Sequence, residues 1–224
     1  TPVISAVLHN GDEAIAKFVK QFDKAEIDPQ NILATEAEFD AAFDALDDEF
    51  IDVLRYAADN IKRFHEMQKP DDIWWTEIRP GVKVGERATP ISSCALYSQR
   101  GKGSFPSVTL MTAIPAVVAG VKTPVILTPP GPDGEIDPAT LVAARIAGVE
   151  LVGRAGGPLA VAAAAYGTAS IPKCLKIEGP GSPWFVAAKH VLADKISSRL
   201  PAGPSEVVVL ADSTVSHRLA ALDI

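Results

Sequence analysis

The sequence contains few cysteines and histidines, which limits the metal and disulfide chemistry available to it. Its 224 residues include 2 cysteines and 4 histidines. Cys94 and Cys174 each lie alone in a strand-like run, so neither a CxxC metal site nor a disulfide framework is present. The histidines show no HxxxH or HxxE spacing, and we interpret them as surface or core residues. We therefore expect no structural zinc site in this chain, and a reducing, cytoplasmic location.

Long apolar runs and runs of like charge are also missing. The longest apolar stretches, such as Ala160 to Tyr166, fall far below the roughly 20 residues that a membrane-spanning helix needs. The 28 acidic residues outnumber the 21 basic ones, and no cluster of Lys or Arg could follow a phosphate backbone. No GxSxG motif surrounds Ser107 or Ser205, which argues against a serine hydrolase. Membrane-spanning proteins are thus excluded, and nucleic acids and anionic membranes are poor candidate partners.

The first third of the sequence has the periodicity of amphipathic helices. We expect one helix over residues 10–24 and a second after a capping box formed by Thr35 and Glu38. A third is expected from about Asp48 to Gln68. The period then changes, and two strand-like runs on either side of Pro80-Gly81 predict a β-hairpin.

From residue 92 onward, short apolar runs alternate with Gly-rich turns and helical segments. Four runs have the length of buried strands: Ser93 to Tyr97, Pro124 to Thr128, Val149 to Val152 and Cys174 to Glu178. The expected helices between and after them are Ser107 to Ala119, Pro138 to Ala147, Leu159 to Tyr166 and Pro183 to Ala193. A last strand is predicted over Val207 to Ala211, followed by a helix. This alternation predicts an α/β fold with a doubly wound parallel sheet.

The change of period also suggests how the chain is divided into domains. We expect residues 92–205 to form a Rossmann-like βα domain. Residues 1–91, with the first helices and the hairpin, are expected to belong to another incomplete Rossmann-like domain, to which residues 206–224 return as a strand and a helix. The chain begins with Thr1 instead of Met and stops within a helix-like stretch, so we expect both ends to be truncated.

The carboxyl ends of the predicted strands are the expected ligand-binding edge, because doubly wound sheets bind ligands there. Glycines stand just before the helices that follow three of these strands. Exposed N–H groups and the helix dipole at such places favour an anionic group such as a dinucleotide pyrophosphate. The usual GxGxxG fingerprint is absent. These residues alone therefore leave open whether the glycines bind a dinucleotide or only form turns.

Nine short strings follow one another along practically the whole chain. They are Gly11 to Ala14, Phe64 to Gln68, Phe105 to Met111, Ile114 to Gly120, Pro129-Pro130, Ala165 to Thr168, Ile171 to Lys173, Gly179 to Gly181 and Pro201 to Glu206. In this order and spacing they resemble the histidinol dehydrogenase family. The resemblance implies a zinc metalloenzyme of histidine biosynthesis that oxidises L-histidinol to L-histidine in two NAD-dependent steps. It also implies a homodimer with two incomplete Rossmann-like domains.

The resemblance further implies roles for individual residues. Tyr97 matches a tyrosine that contacts NAD, and Ser205 matches a serine that contacts histidinol. Gly157, Gly181 and Ser182, at the starts of two helices, are further candidate cofactor-binding residues, because backbone donors at a helix N-terminus favour phosphate. The zinc ligands and catalytic residues of the family are expected beyond this chain. The chain alone is therefore expected to be inactive.

Three loops depart from the family pattern. Its Tyr-x-Pro-Gly-Gly, Gly-Gly-Ala-Gln and Gly-Pro-Gly-Asn loops correspond here to Tyr97 to Gly101, Gly156 to Leu159 and Gly179 to Ser182. Leu159 and Ser182 thereby replace two amide side chains with which family members contact the dinucleotide. We expect poor NAD affinity that improves when both amides are restored. The alternatives are a paralogue that oxidises another amino alcohol or polyol, a non-catalytic small-molecule-binding relative and a dimerisation module.

Overall fold

A computed structural model describes residues 2–100, 103–198 and 207–222 of the chain. Its helices are α1 (Pro2–Phe22), α2 (Glu36–Asp44), α3 (Asp48–Gln68), α4 (Pro106–Val118), α5 (Pro138–Ile146), α6 (Gly157–Tyr166), α7 (Pro183–Val191) and α8 (His217–Leu222). Its strands are β1 (Ile73–Arg79), β2 (Val82–Arg87), β3 (Ser93–Tyr97), β4 (Thr123–Thr128), β5 (Leu151–Arg154), β6 (Lys176–Glu178) and β7 (Ser197–Ser198). Strands β1 and β2 form the expected hairpin, and the other five form one parallel sheet.

Helix α1 begins earlier than the sequence predicted and is sharply bent at Gly11. This glycine has φ 51° and ψ −125°, a conformation that glycine adopts without the steric cost of a Cβ. The carboxylate of the next residue, Asp12, accepts hydrogen bonds from the backbone N–H and the hydroxyl of Ser170, at 3.0 and 2.8 Å. These bonds hold the bend against the loop that follows α6. Helix α1 therefore consists of two arms, and the predicted segment 10–24 accounts for the second arm only.

Helices α2 and α3 confirm the start signals of the sequence. Thr35 and Glu38 form the capping box: the Thr35 hydroxyl accepts the Glu38 N–H at 3.3 Å, and the Thr35 N–H donates to the Glu38 carboxylate at 2.8 Å. Asp47 caps α3 by accepting the N–H of Phe50 at 2.7 Å. These caps satisfy N–H groups that would otherwise lack a partner in the first turn.

The strand order of the parallel sheet is β5-β4-β3-β6-β7. The four predicted strands are confirmed, with ends shifted by at most two residues. The chain adds β4 and β5 on one side of β3, then crosses back and adds β6 and β7 on the other side. The topological switch point, where ligands bind in sheets of this kind, therefore lies between β3 and β6. The short edge strand β7 was not predicted, because two residues carry no periodic pattern.

Helices cover both faces of this sheet. Alternate residues of β3 point to opposite faces: Ala95 and Tyr97 belong to the core under α1, α6 and α7, whereas Cys94 and Leu96 belong to the core under α2 to α5. The first three helices thus pack on the two faces of the sheet. The division of the whole chain into two domains remains a prediction.

The predicted strand over Val207 to Ala211 is wrong for the described structure. Residues 207–212 have no regular secondary structure and are exposed. A continuous apolar run alone does not form a strand, because the N–H and C=O groups of its backbone need a neighbouring strand to pair with. Helix α8 follows, as the sequence predicted, and contains no buried residue.

Candidate functional site

A cavity of about 720 Å³ opens at the carboxyl ends of the parallel strands. Residues from the loops after β3, β4, β5 and β6 line it, together with α7 and both ends of α1. They are Pro2, Val3, Ile4, Phe22, Asp23, Tyr97, Gln99, Arg100, Pro129, Gly156, Gly157, Pro158, Ser182, Trp184, Ala187, Ala188 and Val191. The cavity therefore lies at the topological switch point, where a ligand of a doubly wound sheet is expected.

The bend in α1 forms one wall of this cavity. A straight helix of 21 residues would be about 32 Å long, too long for both of its ends to border one small cavity. Because the helix folds back at Gly11, Ile4 from its start and Phe22 from its end line the same space. The local backbone conformation at the bend thus decides the shape of the site.

Tyr97, at the end of β3, is the central polar group of the cavity. Its ring stacks on Phe185 with 4.2 Å between the ring centroids. Its hydroxyl oxygen accepts the N–H of Gly157 at 2.9 Å, so the hydroxyl hydrogen can be donated to a ligand. Burial raises the pKa of Tyr97, which keeps the hydroxyl protonated at neutral pH. The structure thus brings together two of the residues predicted from the sequence.

Gly157 starts α6 and keeps part of the cavity open. Its φ is +49°, and a Cβ built on it would meet no atom within 4 Å. A side chain here would therefore be strained and would project into open space beside Tyr97. Because its N–H donates to the Tyr97 hydroxyl, one backbone donor that the sequence assigned to a ligand already has a partner in the protein.

Ser182 and Gly181 precede α7, but only Ser182 is among the described residues that line the cavity. The Ser182 hydroxyl accepts the N–H of Phe185 at 3.4 Å and caps the helix. A Cβ on Gly181 would lie 2.4 Å from the Phe185 ring, so this glycine allows the loop to pack closely against the ring. The two residues thus have different surroundings.

Leu159 lies away from the cavity. It is 1 % exposed and belongs to the core between the sheet and α1, α6 and α7. A leucine at this position contributes packing, and the side chain has no free path to a ligand. Ser205, the predicted substrate-binding residue, lies outside the described residues.

Asp23 and Arg100 are the charged residues among those that line the cavity. Burial raises the pKa of Asp23 to about 6. Arg100 donates from Nη1 to the carbonyl of Glu135 at 3.0 Å. Sequence reasoning missed both as site residues. Arg100 had a signal, because it stands in a loop that departs from the family pattern, whereas Asp23 reaches the site only through the bend in α1.

Groups for metal or thiol chemistry do not come together in the described ranges. Among these residues, no three His, Cys, Asp or Glu side chains are placed to hold a metal ion. Both cysteines are buried, and burial raises the pKa of Cys94 to about 11 and that of Cys174 to about 12, so both remain thiols. No helix in the described part of the chain is long and apolar enough to cross a membrane.

Comparison with known proteins supports the resemblance. The sequence model of the family described as histidinol dehydrogenase matches residues 1–224. A histidinol dehydrogenase homolog of Rhizobium meliloti is 57 % identical over 223 residues, which cover 100 % of this chain and 49 % of the relative. The histidinol dehydrogenase of Methanosarcina mazei is 43 % identical over 222 residues, covering 99 % of this chain and 51 % of the relative.

A solved structure agrees with these sequence matches. The crystal structure of histidinol dehydrogenase from Elizabethkingia anophelis matches with a TM-score of 0.89 and 36 % identity, over 99 % of this chain and 51 % of that chain. The chain thus spans about half the length of the curated relatives it matches. Sequence, fold and the place of the cavity lead to one conclusion: the chain belongs to the histidinol dehydrogenase family.

Proposed function

We propose that this chain carries the dinucleotide-binding part of an NAD-dependent oxidoreductase that oxidises L-histidinol to L-histidine. The observation that carries the proposal is the cavity at the switch point between β3 and β6, with Tyr97 in its lining. Relatives named histidinol dehydrogenase at 43 % identity support the substrate. A homodimer and a cytoplasmic location remain expectations from the family and from the free cysteines.

The residues of the cavity fit a dinucleotide. Apolar side chains such as Pro129, Pro158 and Trp184 offer flat surfaces for rings, and Gly157 leaves open space where another residue would place a Cβ. The N-termini of α6 and α7 meet the cavity through Gly157 and Ser182 and favour its phosphates. A dinucleotide held there would supply the hydride acceptor for oxidation of the alcohol.

The part played by this chain is binding and orientation. The Tyr97 hydroxyl, held by the Gly157 N–H, offers one directed hydrogen-bond donor to the ligand. Phe185 stacks on the Tyr97 ring and restricts the orientation of that ring. Since the described residues form no cluster suited to zinc, we assign no zinc-dependent step and no catalytic acid or base to them.

The test is titration calorimetry of the purified protein with NAD. We expect saturable binding that Tyr97→Phe weakens by about 0.5 to 1.5 kcal/mol, because one hydrogen bond to the ligand is lost. Tyr56→Phe is the matched control, since Tyr56 is an exposed tyrosine on α3, far along the chain from the cavity residues. Absence of saturable NAD binding, or equal losses in both variants, would contradict the proposal.

A second candidate is a family member that oxidises another amino alcohol or a polyol. It is favoured by the loop Ser98 to Arg100, which departs from the family pattern and contributes Gln99 and Arg100 to the cavity wall. Relatives named histidinol dehydrogenase homolog are also more similar to this chain than those named as the enzyme. Reduction of NAD by the protein expressed from its own gene, with L-histidinol and then with other amino alcohols and polyols, separates the two candidates.

A further inference from the structure

Arg100 places a positive charge in the part of the cavity wall that lies at the carboxyl ends of the strands. It lies in the loop after β3 and lines the cavity beside Gln99. No other cationic residue is among the described residues that line the cavity. The other charged residue of the lining is the half-buried Asp23, at the end of α1. A cation at the switch point of a doubly wound sheet is well placed to meet a ligand there.

The guanidinium of Arg100 is held by the loop after β4. Its Nη1 donates to the Glu135 carbonyl at 3.0 Å. A Cβ on Gly131 would lie 2.6 Å from Nη1 and 2.9 Å from Nη2, so the guanidinium packs directly on the backbone there. The carboxylate of Glu135 lies instead 3.8 Å from the guanidinium of Arg154. Asp133 Oδ1 also approaches this point, 2.5 Å from the same Cβ position, but among the described residues it forms no ion pair with Arg100. Arg100 is therefore positioned by backbone contacts and is paired with neither carboxylate.

Most of the hydrogen-bonding capacity of Arg100 remains available. A guanidinium has five N–H donors, and the bond to Glu135 uses one of them. Within the ranges that the structure describes, Arg100 forms no ion pair at N–O distances up to 4.0 Å. A planar, charged group with several free donors matches the oxygens of a phosphate in a bidentate geometry.

We propose that Arg100 binds the pyrophosphate of the dinucleotide and thereby replaces, with a side-chain cation, donors that the departing loops no longer supply. The inference rests on the proposed NAD binding. The cation and the starts of α6 and α7 border one cavity, so all three favour a negative charge in the same space. Adenosine, which carries no phosphate, does not engage Arg100.

The experiment compares three ligands in titration calorimetry: NAD, inorganic pyrophosphate and adenosine. We expect Arg100→Gln to weaken NAD and pyrophosphate by about 10-fold to 100-fold, the loss typical of a hydrogen bond to a charged group. Adenosine binding should stay within twofold. Arg100→Lys, which keeps the charge but loses the planar fork, should give an intermediate loss for NAD. Added salt should weaken NAD binding to the original protein more than to Arg100→Gln.

Lys122→Gln is the matched control. This variant also removes one positive charge, but Lys122 is exposed and precedes β4. It therefore lies at the amino end of that strand, whereas the cavity lies at the carboxyl ends. It should leave the affinity for NAD unchanged. If NAD binds the original protein and Arg100→Gln binds it equally well, the inference is overturned while the proposed function stands. If the original protein binds adenosine or pyrophosphate but not NAD, the proposed function fails. The assignment of Arg100 to the pyrophosphate group of NAD then fails with it.

Discussion

Leu159 and Ser182 occupy two positions where the family pattern has amide side chains, yet their surroundings differ. Leu159 packs in the core, whereas Ser182 lines the cavity and caps α7. The sequence alone suggests that restoring both amides tightens NAD binding. The structure separates the two changes, because only position 182 meets the cavity.

Leu159→Gln should lower the free energy of unfolding by about 2 to 4 kcal/mol, since it removes a packed apolar side chain and buries an amide. Ser182→Asn should keep the helix cap, because asparagine is also a good N-cap, and should tighten NAD by about 0.5 to 1.5 kcal/mol. Urea unfolding and NAD titration measure the two effects. A Leu159→Gln protein that unfolds normally and binds NAD more tightly would show that position 159 meets the ligand.

Asp23 predicts a pH dependence of stability. Burial raises its pKa from 3.8 in a model compound to about 6, so between these values the folded state binds more protons than the unfolded state. Its contribution to stability is therefore fully present below about pH 4 and is lost as the pH rises to about 6. Because the carboxyl group still meets water, solvent screening limits the change to on the order of 1 kcal/mol.

Unfolding in urea at several pH values between 4 and 7 tests this expectation. Asp23→Asn should remove the loss of stability between pH 4 and 6 that the carboxyl group causes. Asp40→Asn, at an exposed position on α2, is the control and should leave the pH profile unchanged. Identical profiles for the original protein and Asp23→Asn would contradict the assigned cause.

At the scale of elements, Arg154 joins β5 to the segment before α2 and to the loop after β4. Arg154 is 5 % exposed, and its guanidinium donates to the carbonyls of Gly134, Asn31 and Leu33, at 2.9, 3.1 and 3.2 Å. It also pairs with Glu38, the acidic member of the capping box. Burial acts to raise the pKa of Glu38, but hydrogen bonds from Thr35 and the charge of Arg154 together outweigh burial and hold this pKa below its usual value. One buried cation thus satisfies groups from three parts of the chain.

Arg154→Met should lower the free energy of unfolding by about 3 to 5 kcal/mol, because it leaves a partly buried carboxylate and several carbonyls without their partner. The control is Arg55→Met, which breaks the exposed pair with Asp52 on α3 and should cost less than about 1 kcal/mol. Chemical denaturation of both variants measures the difference. Equal, small losses would mean that water replaces Arg154 readily.

At the scale of the whole molecule, the hairpin and the segment before α8 are among the regions that expose large apolar side chains. Trp74 and Trp75 are exposed on the hairpin, and Val208 and Leu210 are 92 % and 98 % exposed before α8. Exposed apolar side chains of this size are typical of contacts with another chain or another part of a larger protein when they form one patch. Their exposure agrees with the expected dimer.

We expect the protein to associate through this surface. In sedimentation equilibrium it should form a dimer or larger species at micromolar concentration, and the double change Val208→Glu and Leu210→Glu should weaken that association if residues 207–212 take part. The matched change Lys122→Glu, on another exposed loop, should have no effect. A monomeric protein without binding of an apolar dye would contradict the expectation of an uncovered apolar surface.

Local patterns were sufficient to predict most elements and the family. The capping box of Thr35 and Glu38 and the four buried strands were predicted because a cap depends on neighbouring residues and because a strand within a covered parallel sheet is a short apolar run. The ordered strings of the sequence predicted the family correctly. Tyr97 could be named as a candidate because it matches a family residue, and Gly157 and Ser182 because they stand at the starts of predicted helices.

Only the tertiary structure decided which of these residues meet. The strand order put β6 beside β3 and so created the switch point, and the bend at Gly11 brought the end of α1 to Tyr97. Packing also placed Leu159 in the core and Arg100 on the wall of the cavity. These outcomes depend on contacts between residues far apart in the chain, which no local period or cap encodes. The apolar run from Val207 to Ala211 wrongly predicted a strand for the same reason, since pairing requires a neighbouring strand.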